Sequence, residues 1–192
     1  MKPARYLLAA GALSLAVPAG ASITVLGQSL ARDCYEAAAS VSQREGLAPQ
    51  RILREGIESC DAAFSNEALS SEKVVATHVN RGILLMHRGE AARAVADFSR
   101  AIAIDPDEPE AYLNKAVAMV RAEQWNEAIP LFDTAIEKKT RRPELAYYGR
   151  GIANEMTGDV RGAYYDYKRA SALKPDWTRP RAELTRFTVR KR

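Results

Sequence analysis

The chain has 192 residues, 34 of them alanine, with two cysteines, two histidines and a formal net charge of +4. This length suits one small domain, and an alanine-rich composition without alternating β-branched runs after residue 30 favours helices over strands. A charge balance this close to neutral gives no indication of a nucleic-acid partner, so we expect none.

The N-terminus has the three parts of a secretory signal. Two cationic side chains within the first five residues precede an apolar stretch from Tyr6 to Val17, and Ala19 and Ala21 supply small residues before a cleavage site. The apolar stretch is too short to span a bilayer. We therefore expect residues 1–21 to be a signal peptide, cleaved after Ala21, and the protein to be periplasmic or secreted. The alternative is a buried N-terminal helix.

Cys34 and Cys60 are the two cysteines of the chain. In an exported protein such a pair is most simply interpreted as one disulfide bond. Helices predicted at Leu30–Ser40 and Arg51–Phe64 would let the two side chains face each other across a helical hairpin within residues 22–74. A metal site or a redox couple is the alternative, but two cysteines with no nearby histidine give too few ligands, and there is no Cys-x-x-Cys spacing.

One residue pattern recurs every 34 to 35 residues from residue 75 onwards. It consists of a small residue, an alanine, an aromatic residue and a second alanine, at constant spacing. The three copies are Gly82, Ala94, Phe98 and Ala101; Ala116, Ala128, Phe132 and Ala135; and Gly151, Ala163, Tyr167 and Ala170. Small residues let two helices approach closely while the aromatic ring fills the gap, so the period predicts a stack of helical hairpins.

At these positions the chain resembles the tetratricopeptide repeat family, and Asp105-Pro106 and Lys174-Pro175 match its closing dipeptides. The resemblance covers three units, which we place at 75–108, 109–143 and 144–177. It implies an all-α solenoid in which the first helix of each unit lines a concave groove.

Both ends of the stack are expected to differ from the regular repeat. In residues 22–74, Gly56, Cys60 and Ala63 follow the repeat spacing, so this segment is interpreted as a degenerate N-terminal hairpin. A helix predicted at Thr178–Val189, within residues 178–192, would cap the other end and continue into a basic tail.

Two departures from the pattern predict local changes. Pro130 falls one turn into a second helix, where we expect a late start or a slight kink. Thr140 replaces the closing proline of the middle unit, and one extra residue follows, so we expect a longer turn before Pro143.

What the resemblance implies for function is an apolar groove. We expect the following side chains to line it: Val79, Ile83, Met86, Leu113, Val117, Val120, Tyr148 and Ile152. Family members that clamp the carboxylate of a chaperone tail use lysine and asparagine at groove positions. Here Val79 and Leu113 replace the lysine, which disfavours that ligand. Alternatively, the groove is filled by the segment from Ser22 to Leu26 or by the C-terminal helix.

The C-terminal region is the most asymmetrically charged part of the chain. Lys168 to Arg192 contains nine basic and two acidic residues. A solvated face with a frayed tail explains this excess, and a weak contact of the tail with an anionic membrane surface is the alternative.

No constellation of residues supports catalysis, a cofactor or a metal. His78 and His87 lie nine residues apart on one predicted helix, which places them on opposite faces. No glycine-rich phosphate loop, zinc-protease motif or nucleophile elbow is present. The leading hypothesis is therefore a non-enzymatic adaptor of the cell envelope that binds an apolar peptide or helix. The alternative is a self-associating structural subunit of an envelope assembly, and the sequence does not indicate the oligomeric state.

Export and cysteine pairing can be tested together. Intact-mass analysis of the exported protein should show a chain beginning at Ser22, and thiol titration of the unfolded protein should find no free thiol. Two titratable thiols would contradict the disulfide, and a retained N-terminus would contradict the signal peptide.

Overall fold

The computed structural model of the protein describes residues 29–42 and 47–187. The predicted signal peptide and the segment from Ser22 to Leu26 lie outside this part of the chain, so export stays a prediction. All regular secondary structure in the described residues is helical, which confirms the all-α class.

The helices follow one another with short connections. They are α1 Leu30–Ser42, α2 Gln50–Asn66, α3 Ser71–Arg88, α4 Ala91–Ile104, α5 Pro109–Arg121, α6 Trp125–Glu137, α7 Pro143–Met156, α8 Val160–Leu173 and α9 Thr178–Leu184. The two-residue connection between α3 and α4 turns at Gly89, whose φ of 88° is the left-handed conformation that glycine adopts without steric cost.

Two helix ends can be compared with the predicted bounds. The first helix of the first unit begins at Ser71, four residues before the predicted start of the unit, and the Ser70 hydroxyl caps it by accepting a hydrogen bond from the Lys73 amide at 3.4 Å. The C-terminal helix ends at Leu184, and Val189, where we expected its end, lies outside the described residues.

Of the two predictions for the middle unit, one is wrong and the other is confirmed. Helix α6 starts at Trp125, one repeat after the start of α4, and continues through Pro130, so the late start is wrong. The longer turn is confirmed: five residues separate α6 from α7, whereas four separate α4 from α5. Lys139 in this turn has a φ of 61°.

The helices stack as hairpins with an inner and an outer row. Each odd-numbered helix from α1 to α7 contacts the next odd-numbered helix, whereas the even-numbered helices contact chiefly their own partner and the following odd-numbered helix. The odd-numbered helices therefore form the concave side and the even-numbered helices the convex side.

The repeated small residues have the steric role predicted for them. A Cβ atom at Gly82 would collide with the Phe98 ring, and one at Gly151 would lie 2.8 Å from the Tyr167 ring. In the middle unit, where the small residue is Ala116, the tip of the Phe132 ring lies against Gly149 of the next helix instead. Each of these three aromatic rings thus needs a helix backbone beside it.

The two cysteines lie at the centre of the N-terminal hairpin. Cys34 on α1 and Cys60 on α2 have no exposed surface, and their sulfur atoms are 2.13 Å apart. Leu53 and Leu84 belong to the same buried cluster, which joins this hairpin to α3. The oxidised state of the pair stays a prediction.

Buried ion pairs connect successive hairpins on the convex side. Arg81 on α3 donates two hydrogen bonds to Asp97 on α4, at 2.7 and 2.8 Å, and a third to Asp61 on α2 at 2.6 Å. Two repeats later, Arg150 contacts Asp166 and Asp133 in the same arrangement. Such forked contacts fix both the distance and the angle between hairpins.

The middle unit has no such pair. Its residues at the positions of the arginine and of the first aspartate are Lys115 and Leu131. Leu131 packs against the apolar cluster around Phe132. Apolar contact therefore takes the place of the ion pair in this unit.

The burial of Asp97 predicts a stability effect and its pH range. Burial alone would raise the pKa of the Asp97 carboxyl, but hydrogen bonds from Arg81 and His78 outweigh it and lower the pKa from 3.8 to about 2. The stabilisation is thus present above pH 3.8 and is lost as the pH falls towards 2. At neutral pH, Asp97→Asn should lower the free energy of unfolding by about 3 kcal/mol, measured by urea denaturation, because Arg81 loses its charged partner.

Asp107→Asn is the matched control, because this carboxylate also pairs with a cation, Lys138, but is 89% exposed. Its effect should stay below about 0.5 kcal/mol. Equal effects of the two substitutions would contradict a structural role for the buried pair.

Candidate functional site

A concave groove of about 300 Å³ lies among the inner helices of the described residues. Helices α1, α3 and α5 and the turn before α7 all contribute to it. Its lining residues are Tyr35, Ala38, Ala39, Ser42, Ala76, Val79, Asn80, Ile83, Glu108, Glu110, Asn114, Arg141 and Arg142.

The part of the groove between α1 and α3 is apolar. Small side chains from both helices, among them Ala39 and Ala76, leave the open space, and Val79 and Ile83 form one side of it. Tyr35 is 58% exposed at the edge. This surface can bury an apolar side chain of a partner.

Two asparagines supply polar groups one repeat apart on α3 and α5. Asn80 and Asn114 both line the groove. The Asn114 amide nitrogen donates to the Glu110 carbonyl at 2.7 Å, which leaves its carbonyl oxygen to accept from a ligand. Side-chain amides in such a row can pair with the backbone of an extended peptide.

The opposite wall carries acidic and basic side chains. The Glu110 carboxylate accepts hydrogen bonds from the Thr140 hydroxyl at 2.8 Å and from the Arg141 amide at 2.7 Å. This carboxylate is therefore used in holding the turn. The wall thus carries two carboxylates, those of Glu108 and Glu110, and two guanidinium groups. The side chains of Arg141 and Arg142 make no ion pair within the described residues, so they can pair with a carboxylate of a ligand.

A smaller cavity of about 180 Å³ continues beyond Arg142. Leu145, Lys174 and Trp177 line it together with Arg142 and Glu144. Arg142 is thus shared between the groove and a second cationic recess.

The structure places the eight sequence-predicted groove residues in different environments. Val79 and Ile83 line the groove. Met86 is buried in the N-terminal core, and Val117 and Val120 are partly buried against the core around Phe132. Ile152 is half-buried on α7.

Leu113 must be reassigned from the groove to the core. It has no exposed surface and belongs to the buried cluster of Ala128 and Phe132. It cannot contact a partner in this conformation. Helix α7 encloses this position, because Ala146 packs into the same cluster.

Tyr148 is covered by the C-terminal end of the chain. Its ring contacts Trp177 with the centroids 4.8 Å apart, and its hydroxyl donates to Glu183 on α9 at 3.3 Å. Burial, followed by the neighbouring Glu183 charge, raises the pKa of the Tyr148 hydroxyl, which therefore keeps its proton. Helix α9 thus covers the inner face of α7 rather than the groove around Ala76.

The polar residues of the groove were missed by the sequence analysis. Asn80 and Asn114 are separated by one repeat, and this spacing was the signal that could have found them. No periodic signal marks Arg141 and Arg142, since they lie in the turn that contains the extra residue.

Comparison with known proteins identifies the repeats. Residues 85–147 match the tetratricopeptide repeat family model. This segment, about a third of the chain, is similar to tetratricopeptide repeats. No curated protein sequence matches the chain.

Several solved structures of tetratricopeptide repeat proteins have a similar fold. MamA from Desulfovibrio magneticus RS-1 is 18% identical, with 82% of each chain covered and a TM-score of 0.62. The first repeat domain of Spaghetti (RPAP3), bound to an HSP90 peptide, is 22% identical, with 63% of this chain and 94% of that chain covered and a TM-score of 0.57. YrrB is 15% identical, with 81% and 74% covered and a TM-score of 0.59. At these identities the likeness concerns the fold.

Two further features are absent from the described residues. Within residues 29–42 and 47–187, no helix has the length and apolar character needed to cross a bilayer. The same residues contain no group of three or more histidine, cysteine or acidic side chains placed to hold a metal ion.

Because Leu113 is buried, a charged substitution there should lower stability, whereas a residue facing the groove would tolerate it. Leu113→Glu should lower the free energy of unfolding by about 3 kcal/mol or more, because it places a charge in a closed apolar cluster. Ala96→Glu, on the exposed side of α4, is the control and should change stability by less than about 0.5 kcal/mol. If the Leu113→Glu variant is as stable as the unmodified protein in urea denaturation, Leu113 faces the groove and its assignment to the core is wrong.

Proposed function

We propose that the protein is a non-enzymatic interaction module of the cell envelope that binds a peptide segment of a protein partner in its concave groove. The observation that carries this proposal is the groove itself. It is open to solvent, apolar between α1 and α3, and bordered by amide and guanidinium groups. Such a combination buries an apolar anchor and orients the chain on either side of it.

The size of the groove limits the ligand. A volume of about 300 Å³ lies at the lower end of the range for ligand sites, so it accepts one or two side chains rather than the whole face of a long helix. Asn80 and Asn114 would pair with the peptide backbone, and Arg141 and Arg142 favour a carboxylate beside the anchor.

Two proteins of similar fold support a peptide ligand. The RPAP3 domain is known in complex with an HSP90 peptide, and YrrB is described as having an unusual peptide-binding site. Chaperone tails are not the ligand we favour, because apolar side chains, Val79 and Ile83, replace the expected lysine and asparagine on α3.

The assignment to the envelope rests on the N-terminal sequence and on the cysteines. Residues 1–21 have the composition of a secretory signal, and the Cys34 and Cys60 sulfur atoms lie within bonding distance in the core. An oxidising compartment would keep this pair bonded.

Site-specific photo-crosslinking of the exported protein tests the location of the partner. A photoreactive amino acid at Ala76, on the groove side of α3, should capture a distinct partner, whereas the same group at Ala96 on the convex side should not. Capture of a second copy of this chain from Ala76 would instead favour the self-associating subunit. Equal capture from both positions would contradict the groove as the binding surface.

Blocking the groove should separate binding from stability. Ala76 is exposed and helical, so Ala76→Glu should change the free energy of unfolding by less than about 0.5 kcal/mol. It should weaken binding of the captured partner at least about tenfold, because a charged side chain enters the apolar space. Ala96→Glu should leave the affinity unchanged, and calorimetric titration of both variants measures the difference.

A further inference from the structure

The outer face of the last hairpin exposes apolar side chains next to cationic ones. Val160 and Tyr165 on α8 are 56% and 54% exposed, and Met156 at the end of α7 is 58% exposed. Val160 and Tyr164 lie one helical turn apart, and the Tyr164 ring contacts Tyr165 at 5.5 Å. We call Met156, Val160, Tyr164 and Tyr165 the C-terminal patch.

Cationic residues lie next to the residues of this patch along α8. Arg161 and Arg169 lie four residues before and after Tyr165, so all three occupy one face of the helix. The Arg161 guanidinium carbon is 5.9 Å from the centre of the Tyr165 ring. Lys168 is also exposed.

The nearby carboxylates are already engaged. Glu155 and Glu183 both pair with Arg186, at 2.8 and 2.6 Å, and Asp166 pairs with Arg150. Asp159 accepts a hydrogen bond from the Gly162 amide at the start of α8. The charges that this face offers a partner are therefore mainly positive.

The end of the chain adds to this charge. Phe187 is the last described residue, and its ring lies 5.8 Å from that of Tyr164, so the tail leaves the fold at the C-terminal patch. Residues 188–192 include Arg190, Lys191 and Arg192. Five residues of chain reach at most about 17 Å.

We propose that the C-terminal patch and the basic tail dock the protein on an anionic lipid surface. Tyrosine is favoured at the level of the lipid head groups, and arginine and lysine beside it can extend their charged ends to phosphates while their aliphatic parts cover apolar surface. Tyrosine, methionine and arginine also occur often in protein interfaces, but lysine is depleted there, and here Lys168 is exposed beside the patch. The exposed charged residues from Arg161 to Arg169 are all positive, which complements an anionic surface. The lipid surface is therefore the better match.

Vesicle flotation of the mature full-length protein tests this docking. The protein should float with phosphatidylcholine vesicles containing about one third phosphatidylglycerol, and not with phosphatidylcholine alone. Replacing Arg190, Lys191 and Arg192 by glutamine should lower the partition coefficient about a hundredfold, since each basic residue near an anionic surface contributes roughly fivefold. Raising the salt concentration should have a similar effect.

The apolar contribution needs its own variant and control. The Val160→Ser, Tyr165→Ser variant should lower partitioning about tenfold with an unchanged urea midpoint, because both side chains are exposed. Ile104→Ser is the matched control. Ile104 is 45% exposed but lies beside the acidic Asp105 and Asp107, so its substitution should leave partitioning unchanged.

Three results would overturn the proposal. They are the absence of flotation with anionic vesicles, equal partitioning of the Val160→Ser, Tyr165→Ser variant and the unmodified protein, and a change of oligomeric state in that variant by light scattering. The last result would assign the patch to contact between copies of the chain. None of these results depends on the groove, so the peptide-binding proposal is tested separately.

Discussion

The architecture depends on one steric constraint, the contact of an aromatic ring with the backbone of a neighbouring helix in every unit. Phe98 and Tyr167 each fill the space that a side chain at Gly82 or Gly151 would need. Close-packed interiors tolerate neither an added methyl group nor a lost ring, so these contacts fix the distance between the helices of a hairpin. In the middle unit the Phe132 ring lies against Gly149 of the next hairpin, so the aromatic residues fix distances both within and between hairpins.

That regular stacking separates the two sides of the molecule chemically. The odd-numbered helices lie close together on the inner side, where small residues such as Ala39 and Ala76 leave a groove. The outer side carries the ion pairs of Arg81 and Arg150, which connect even-numbered helices of successive hairpins. The groove side is therefore poor in ion pairs, and the convex side is rich in them. A ligand in the groove need not break an ion pair to enter.

The repeat period was enough to predict the fold, because a fixed spacing of small and aromatic residues leaves few alternatives to stacked hairpins. The groove was predicted less well. An apolar residue of an inner helix can face either the groove or the core, and the two directions differ by one position in sequence, or about 100° around the helix. Leu113 and Asn114 illustrate this: Leu113 packs in the core, and its neighbour Asn114 lines the groove. Hydrophobicity alone selected the wrong one of the two.

The ion pairs were overlooked for a related reason, since charged residues are usually taken to be solvated. Arg81 and Asp97 nevertheless recur as Arg150 and Asp166 after two repeats.

The groove and the C-terminal patch lie at different ends of the stack. The groove is built from α1, α3, α5 and the turn at Arg141, whereas the patch belongs to α7, α8 and the tail that follows Phe187. In a stack whose units contact only their neighbours, a perturbation at one end is transmitted through each intervening interface. The middle unit relies on apolar contacts such as those of Leu131, which do not impose the fixed angle of a forked ion pair. The two surfaces share no residue, so a C-terminal hairpin docked through its outer face would leave the groove open to a partner.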